Sequence, residues 1–122
     1  MLPGTASEAD KAFVADIYEA FNAREIDRLL RLMLPDVAWP NGMEGGYEMG
    51  REAVRAYWTR QWAMIDPQVT PERVDAPEDG TLAVAVRQVI RDLSGKVLKD
   101  DPITHIYALR AGGIATMEIR SA

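Results

Sequence analysis

His105 is the only histidine in the chain, and so the only side chain whose ordinary pKa lies near neutrality. That makes it the natural acid–base candidate. Histidines are also often partly buried with no chemistry to perform, and this structural reading weighs against a catalytic one. Asp101 shares the nominal strand face of His105, but four residues of strand separate the two by ~13 Å, too far for a direct dyad. Asp100 and Asp101 are neighbours in sequence and point to opposite faces, so they are not paired catalytic carboxylates. One histidine and scattered acids supply no metal-ligand spacing, and no metal or other cofactor is expected. The absence of cysteine removes disulfides, thiolate ligands and cysteine nucleophiles together.

Other residues could bind rather than react. Arg87 and Arg91 alternate with Ala83, Ala85 and Val89 on one face of a strand. The small alanines would allow the first helix to pack closely there, placing Arg87 at or inside a pocket mouth to bind a carboxylate or polarise a carbonyl. The competing reading pairs Arg87 with Asp100 or Asp101 across a hairpin. Tyr18, Asn41 and Thr104 are neutral polar groups able to orient a ligand oxygen. For Asn41-Gly42 the competing reading is turn chemistry, and for the other two ordinary capping or solvation. Trp39, Tyr57, Trp58, Trp62, Met43, Met117 and Ile119 supply large apolar walls, either of a plain core or of a cavity. Three tryptophans in 122 residues suit a cavity as well as a core.

The elements that must position these side chains are readable from period and punctuation. Residues 1–6 read as a flexible arm. Ser7 is a helix cap with acids in the turn behind it, and Phe13, Ile17 and Phe21 recur at helical spacing with Val14 and Tyr18 beside them. A second, shorter stripe of Ile26, Leu29, Leu30 and Met33 is stopped by Pro35. Asp36 to Trp39 is a short strand, and the four glycines between Gly42 and Gly50 imply a loop with little to fix it. A third helix begins at Arg51, carries Trp58 and Trp62 on one face, and ends before Asp66-Pro67. Strands follow over 69–74, 81–93, 97–109 and 114–119, with Ser94-Gly95 a tight hairpin signal. Helices first and antiparallel strands afterwards give an α+β domain covering 1–122, its sheet curling around the first helix.

Composition bounds the partners. A hydrophobic fraction of 48% and a charged fraction of 27% are ordinary for a globular chain. The net charge of −5, with no basic cluster, repels phosphate backbones and anionic membranes, so neither nucleic acid nor membrane is an expected partner. No apolar run approaches the ~20 residues of a membrane helix, and Met1-Leu2-Pro3-Gly4 does not open a signal peptide, which leaves a cytoplasmic location as the expectation.

The order of elements, with five local signatures, resembles the nuclear transport factor 2-like superfamily in its SnoaL-like, ketosteroid-isomerase-like branch. Those signatures are Phe21-Asn22-Ala23 before Ile26-Asp27, Asp36-Val37-Ala38-Trp39, Gly50-Arg51-Glu52-Ala53-Val54, Pro102-Ile103-Thr104-His105 and Gly112-Gly113-Ile114. The resemblance implies a cone-shaped antiparallel sheet around the N-terminal helices, a small-molecule pocket inside it, and a homodimer through the other sheet face. Tyr57 and Met117 match pocket-lining positions of the isomerases. Asn41 matches the position of the isomerases' base, Ile17 that of their oxyanion tyrosine, and Thr104 that of their oxyanion aspartate, so steroid isomerisation by that route is not expected. A Thr104 that faces the pocket would turn His105 away from it. The epoxide-hydrolase branch is not matched either, because Arg87 and Arg91 are followed two residues later by Val89 and Leu93. Polyketide cyclases of this kind use a histidine in an acid–base pair, which keeps His105 in play. Two functions follow: a small-molecule site walled by Trp39, Tyr57, Trp62 and Met117, with an isomerase, cyclase or hydrolase activity open, or a non-catalytic assembly module.

Overall fold

The computed structural model describes residues 4–121. Helix α1 (Glu8–Asn22) starts where the Ser7 hydroxyl accepts the Asp10 N–H and the Asp10 carboxylate accepts the Ser7 N–H, each at 3.0 Å. Its buried stripe is Val14, Ile17, Tyr18 and Ala20. Arg24 follows with φ of 62°, and its guanidinium ties the bend to Asp66 and to the Pro67 carbonyl. Helix α2 (Ile26–Arg31) is shorter than its apolar stripe suggests. Met33 belongs not to the helix but to a strand, Met33–Pro40, which runs straight through Pro35. The backbone of Leu32 is captured by the last strand, Ile114 N–H donating to its carbonyl at 2.9 Å, and this pulls the chain out of the helix early.

In chain order the strands are β1 (Gly4–Thr5), β2 (Met33–Pro40), β3 (Tyr47–Met49), β4 (Ile65–Glu78), β5 (Thr81–Asp92), β6 (Val97–Arg110) and β7 (Gly113–Ser121), with helix α3 (Arg51–Met64) between β3 and β4. They form one curved sheet in the order β1-β4-β5-β6-β7-β2-β3, antiparallel except where β2 runs parallel to β7. Three details depart from the sequence reading. Gly4 and Thr5 pair with Ala76 and Asp75, so these two residues of the expected arm are held at the sheet edge; residues 1–3 of it lie outside the described residues. Part of the glycine-rich loop forms β3, paired with Ala38 to Pro40 of β2. Strand β4 outruns the expected 69–74 at both ends; among the described residues only Gly4 and Thr5 pair along its outer edge, so its prolines there forfeit few ladder bonds.

Alternation along β5 and β6 decides which side chains meet the helices. Leu82, Val84 and Val86 on β5, and Ile103, His105 and Tyr107 on β6, are buried against them. The larger branched residues, not the alanines, face inward, because they fill more of the space beneath α1 and α3. Ala83, Ala85, Arg87 and Thr104 therefore lie on the outer face. Aromatic rings close the wide end of the core: Trp58 stacks on Trp62 at 5.6 Å, and both meet the Phe21 ring edge-on. Among the described residues no helix is long and apolar enough to cross a membrane.

Candidate functional site

Between the sheet and helices α1 and α3 lies a cavity of about 70 Å³. Its apolar walls come from Ile17 and Phe21 of α1, Trp39 of β2, Trp58 of α3, and Met117 of β7. Among the described residues no aspartate, glutamate, lysine or arginine lines it. Its polar groups are neutral and, apart from Gln88 on β5, form two sets.

The first set is a hydrogen-bonded chain across the inner wall. The Tyr107 hydroxyl donates to the Tyr18 oxygen at 2.8 Å, and the Tyr18 oxygen lies 2.7 Å from His105 Nδ1. With its oxygen accepting from Tyr107, the Tyr18 hydroxyl is free to donate to Nδ1, which makes Nε2 the N–H nitrogen of the ring. Burial lowers the His105 pKa from 6.5 to about 4, so the imidazole is neutral at pH 7. Burial pushes the Tyr18 hydroxyl well above its ordinary value, reinforced by the neighbouring Tyr107, and Tyr107 is itself pushed up by burial. The set suits a neutral donor to a ligand oxygen, not a cationic acid.

The second set sits on α3. Tyr57 and Gln61 are one helical turn apart, and the Tyr57 oxygen accepts from Gln61 Nε2 and from the Gly42 N–H, both at 3.0 Å. Burial raises the Tyr57 pKa. Gln61 Oε1 is buried and has no partner. Five residues of the cavity wall, Pro40, Gly42, Gln61, Gln88 and Ile119, also line an open depression of about 450 Å³ outside it. The two spaces, an inner chamber and an outer vestibule, adjoin across these five residues, which form the neck between them.

Of the residues singled out from sequence, the fold gathers Tyr18, Trp39, Tyr57, His105 and Met117 around the chamber. It reverses the face expected from the resemblance, because His105 points inward and Thr104 outward. Arg87 lies outside as well, held by Asp100 in a two-pronged ion pair at 2.9 and 2.6 Å, the cross-hairpin pairing weighed against the pocket role. Trp62 does not border the chamber; Phe21, Trp58 and the Arg24 guanidinium, 5.0 Å from its ring centre, enclose it. Asn41 reaches only the vestibule, and its amide is spent on the turn, Oδ1 accepting from the Met43 and Glu44 N–H groups and Nδ2 donating to Glu44. Asn41→Ala is expected to destabilise the protein by about 1–2 kcal/mol, measured by denaturant titration, through loss of those bonds.

Tyr107, Gln61 and Gln88 escaped the sequence reading. Tyr107 was within reach of it, since two residues beyond His105 a strand returns to the same face. Gln61 stands at i+4 from Tyr57, the same helical face, but a lone glutamine carries no chemical signature.

The sequence matches the SnoaL-like domain family over residues 14–117. No curated protein sequence matches the chain. Among solved structures, a nuclear transport factor 2-like protein of unknown function from Burkholderia pseudomallei superposes with a TM-score of 0.79 at 23% identity, covering 92% of this chain and 89% of that one. TerC co-crystallised with polyporic acid gives 0.78 at 21% identity, covering 91% and 89%. A protein from Sinorhizobium meliloti described as a candidate polyketide cyclase gives 0.76 at 18% identity, covering 89% and 94%. These likenesses extend over nearly the whole sheet and its helices, and with the sequence match they place the chain in the SnoaL-like domain family, with a nuclear transport factor 2-like fold.

Proposed function

We propose that this protein binds a mostly apolar small organic molecule bearing one or two oxygens, its body in the vestibule and neck and one oxygen directed at His105. The observation that carries this reading is the Tyr107–Tyr18–His105 chain, which ends on the wall of a chamber with no charged lining. A neutral ring N–H in a dry site is a strong partner for a carbonyl oxygen and a poor one for a cation. Where turnover follows, His105 acts by polarising that carbonyl, which suits enolisation or cyclisation. Net proton delivery is disfavoured, because both hydroxyls behind the imidazole are held protonated by their burial. Tyr18, Trp39, Tyr57 and Met117 are the contacts proposed for the bound molecule. A homodimer through the outer sheet face, where Ala83, Ala85, Ile106 and Ala108 present apolar side chains, and a cytoplasmic location belong to the same proposal.

The inner chamber alone is smaller than the ~300 Å³ at which ordinary ligand sites begin, and this favours the assembly module as a second reading. A ligand seated in the adjoining vestibule of about 450 Å³ as well as the chamber would have the volume, and this supports the first reading. The two readings separate in a titration with polyporic acid followed by tryptophan fluorescence, since Trp39 and Trp58 border the chamber. Saturable quenching that disappears in Ile119→Phe, where the larger ring fills the neck without adding a tryptophan, supports the pocket. No saturable quenching, together with native mass spectra free of any small adduct on the purified protein, would leave the assembly module standing.

A further inference from the structure

The neck between chamber and vestibule has an unusual polar makeup. Two of the five residues shared by both spaces are glutamines, Gln61 on α3 and Gln88 on β5. Buried amide oxygens are nearly always paired, and an orphan marks either stored strain or a missing partner. Gln61 is held firmly: its Nε2 is fixed on the Tyr57 oxygen, which is fixed in turn by the Gly42 N–H, each at 3.0 Å. With Nε2 placed on the Tyr57 oxygen, Oε1 is buried and unpaired. With its oxygen already accepting two hydrogen bonds, Tyr57 keeps a hydroxyl proton to donate. An unpaired acceptor beside a hydroxyl that keeps its proton, at a neck whose chamber side carries no charged lining among the described residues, matches a hydroxyl group, which both gives and takes a hydrogen bond.

We propose that Gln61 is a specificity-determining residue, whose amide oxygen accepts a hydrogen bond from a hydroxyl carried on the flat apolar body of the ligand as it passes the neck. This rests on the reading of the chamber and vestibule as a ligand site. The ligand class is then a neutral hydroxylated aromatic or enolic compound, and the site selects against its O-methylated form. An ether oxygen can still accept from Tyr57 but offers nothing to Gln61 Oε1. Placing that ether against the orphaned acceptor leaves the acceptor dry and unpaired, so the discrimination exceeds what a lost methyl contact alone would give.

Phenol and anisole are minimal probes of this choice, compared by ligand-observed NMR titration against the full-length protein. The wild type is expected to prefer phenol by about tenfold, the usual effect of one well-placed hydrogen bond. Gln61→Met, which keeps length and volume but has no acceptor, should bind both probes alike while melting at the wild-type temperature or above it, because it removes a buried unsatisfied oxygen. Gln61→Glu, which restores an acceptor, should regain the phenol preference. Equal binding of phenol and anisole by the wild type, or a phenol preference that survives in Gln61→Met, overturns the assignment while leaving the pocket intact. Binding of neither probe, with wild-type melting behaviour, overturns the pocket reading itself.

Discussion

Acidification from pH 7 to pH 4 is expected to remove about 3 kcal/mol of folding stability through His105 alone. The folded-state pKa is about 4 and the ordinary value is 6.5, with burial as the cause. A lowered histidine pKa means that the unfolded chain binds the proton first. Stability is therefore full above the unfolded value, falls as pH drops through the window from 6.5 to 4, and flattens below it. The residues around the ring sharpen the expectation. No carboxylate of the described residues lines the chamber to stabilise the imidazolium, and the Tyr18 hydroxyl can meet a protonated Nδ1 only by surrendering its own bond direction. Denaturant unfolding across pH 7 to 4 is the measurement, with His105→Gln as reference, since glutamine can still accept from Tyr18 and does not titrate. The wild-type curve should fall more steeply than the variant's by about that amount. Parallel curves would mean that the imidazole is solvated, and the neutral-donor role proposed for it would fall with them.

Much of this fold is written plainly in the sequence. The period change after Pro67 and the Ser94-Gly95 turn place β5 and β6 within one residue of their observed ends, because hairpin chemistry is local: Asp92 Oδ1 accepts from both the N–H and the hydroxyl of Ser94 and from the Lys96 N–H. The face that each strand shows inward is less legible. In β5 the alternatives were alanine against valine, both apolar, and only the depth of space beneath the helices separates them. That choice propagates: a sheet register fixes every partner at once, so reversing β5 also moves Arg87 to the surface and sets Val84 opposite His105 on the helix side. The resemblance pointed to Thr104 inside, an offset of one residue, and one residue is enough to exchange a hydroxyl for an imidazole. Trp62 shows the same limit on a helix. Its spacing from Trp58 puts it on the right face, but Phe21 and Arg24, distant in sequence, cover it and keep it from the chamber. The orphaned oxygen of Gln61 is the least legible feature, since it exists only because Tyr57 and Gly42 meet across the neck.

Tyr18→Phe is expected to cost about 3 kcal/mol of stability, because one deleted oxygen strands two buried partners at once. The Tyr107 hydroxyl loses its acceptor and His105 Nδ1 loses its donor, and both lie in the buried core. Each stranded group carries a desolvation penalty of about 1–3 kcal/mol, and the ring itself still fills its place, so the loss is polar and not a cavity effect. The Tyr18 and His105 rings are nearly parallel, 13° apart with centres 5.8 Å from each other, so the phenyl ring keeps the packing while losing the bond. A double-mutant cycle with His105→Phe tests the assignment, read by denaturant unfolding at pH 7. Where the bond is real, the second substitution should cost less in the Tyr18→Phe background than alone, by about 1–2 kcal/mol, since an acceptor already stranded is no longer worth keeping. Strict additivity would mean that the hydroxyl and the imidazole do not feel each other. The pH profile separates this prediction from the first. Burial is the cause of the low His105 pKa, so Tyr18→Phe should retain the acid-induced loss of stability that His105→Gln abolishes. A Tyr18→Phe protein that lost that dependence would shift the origin of the neutral imidazole from its burial to its hydrogen bond.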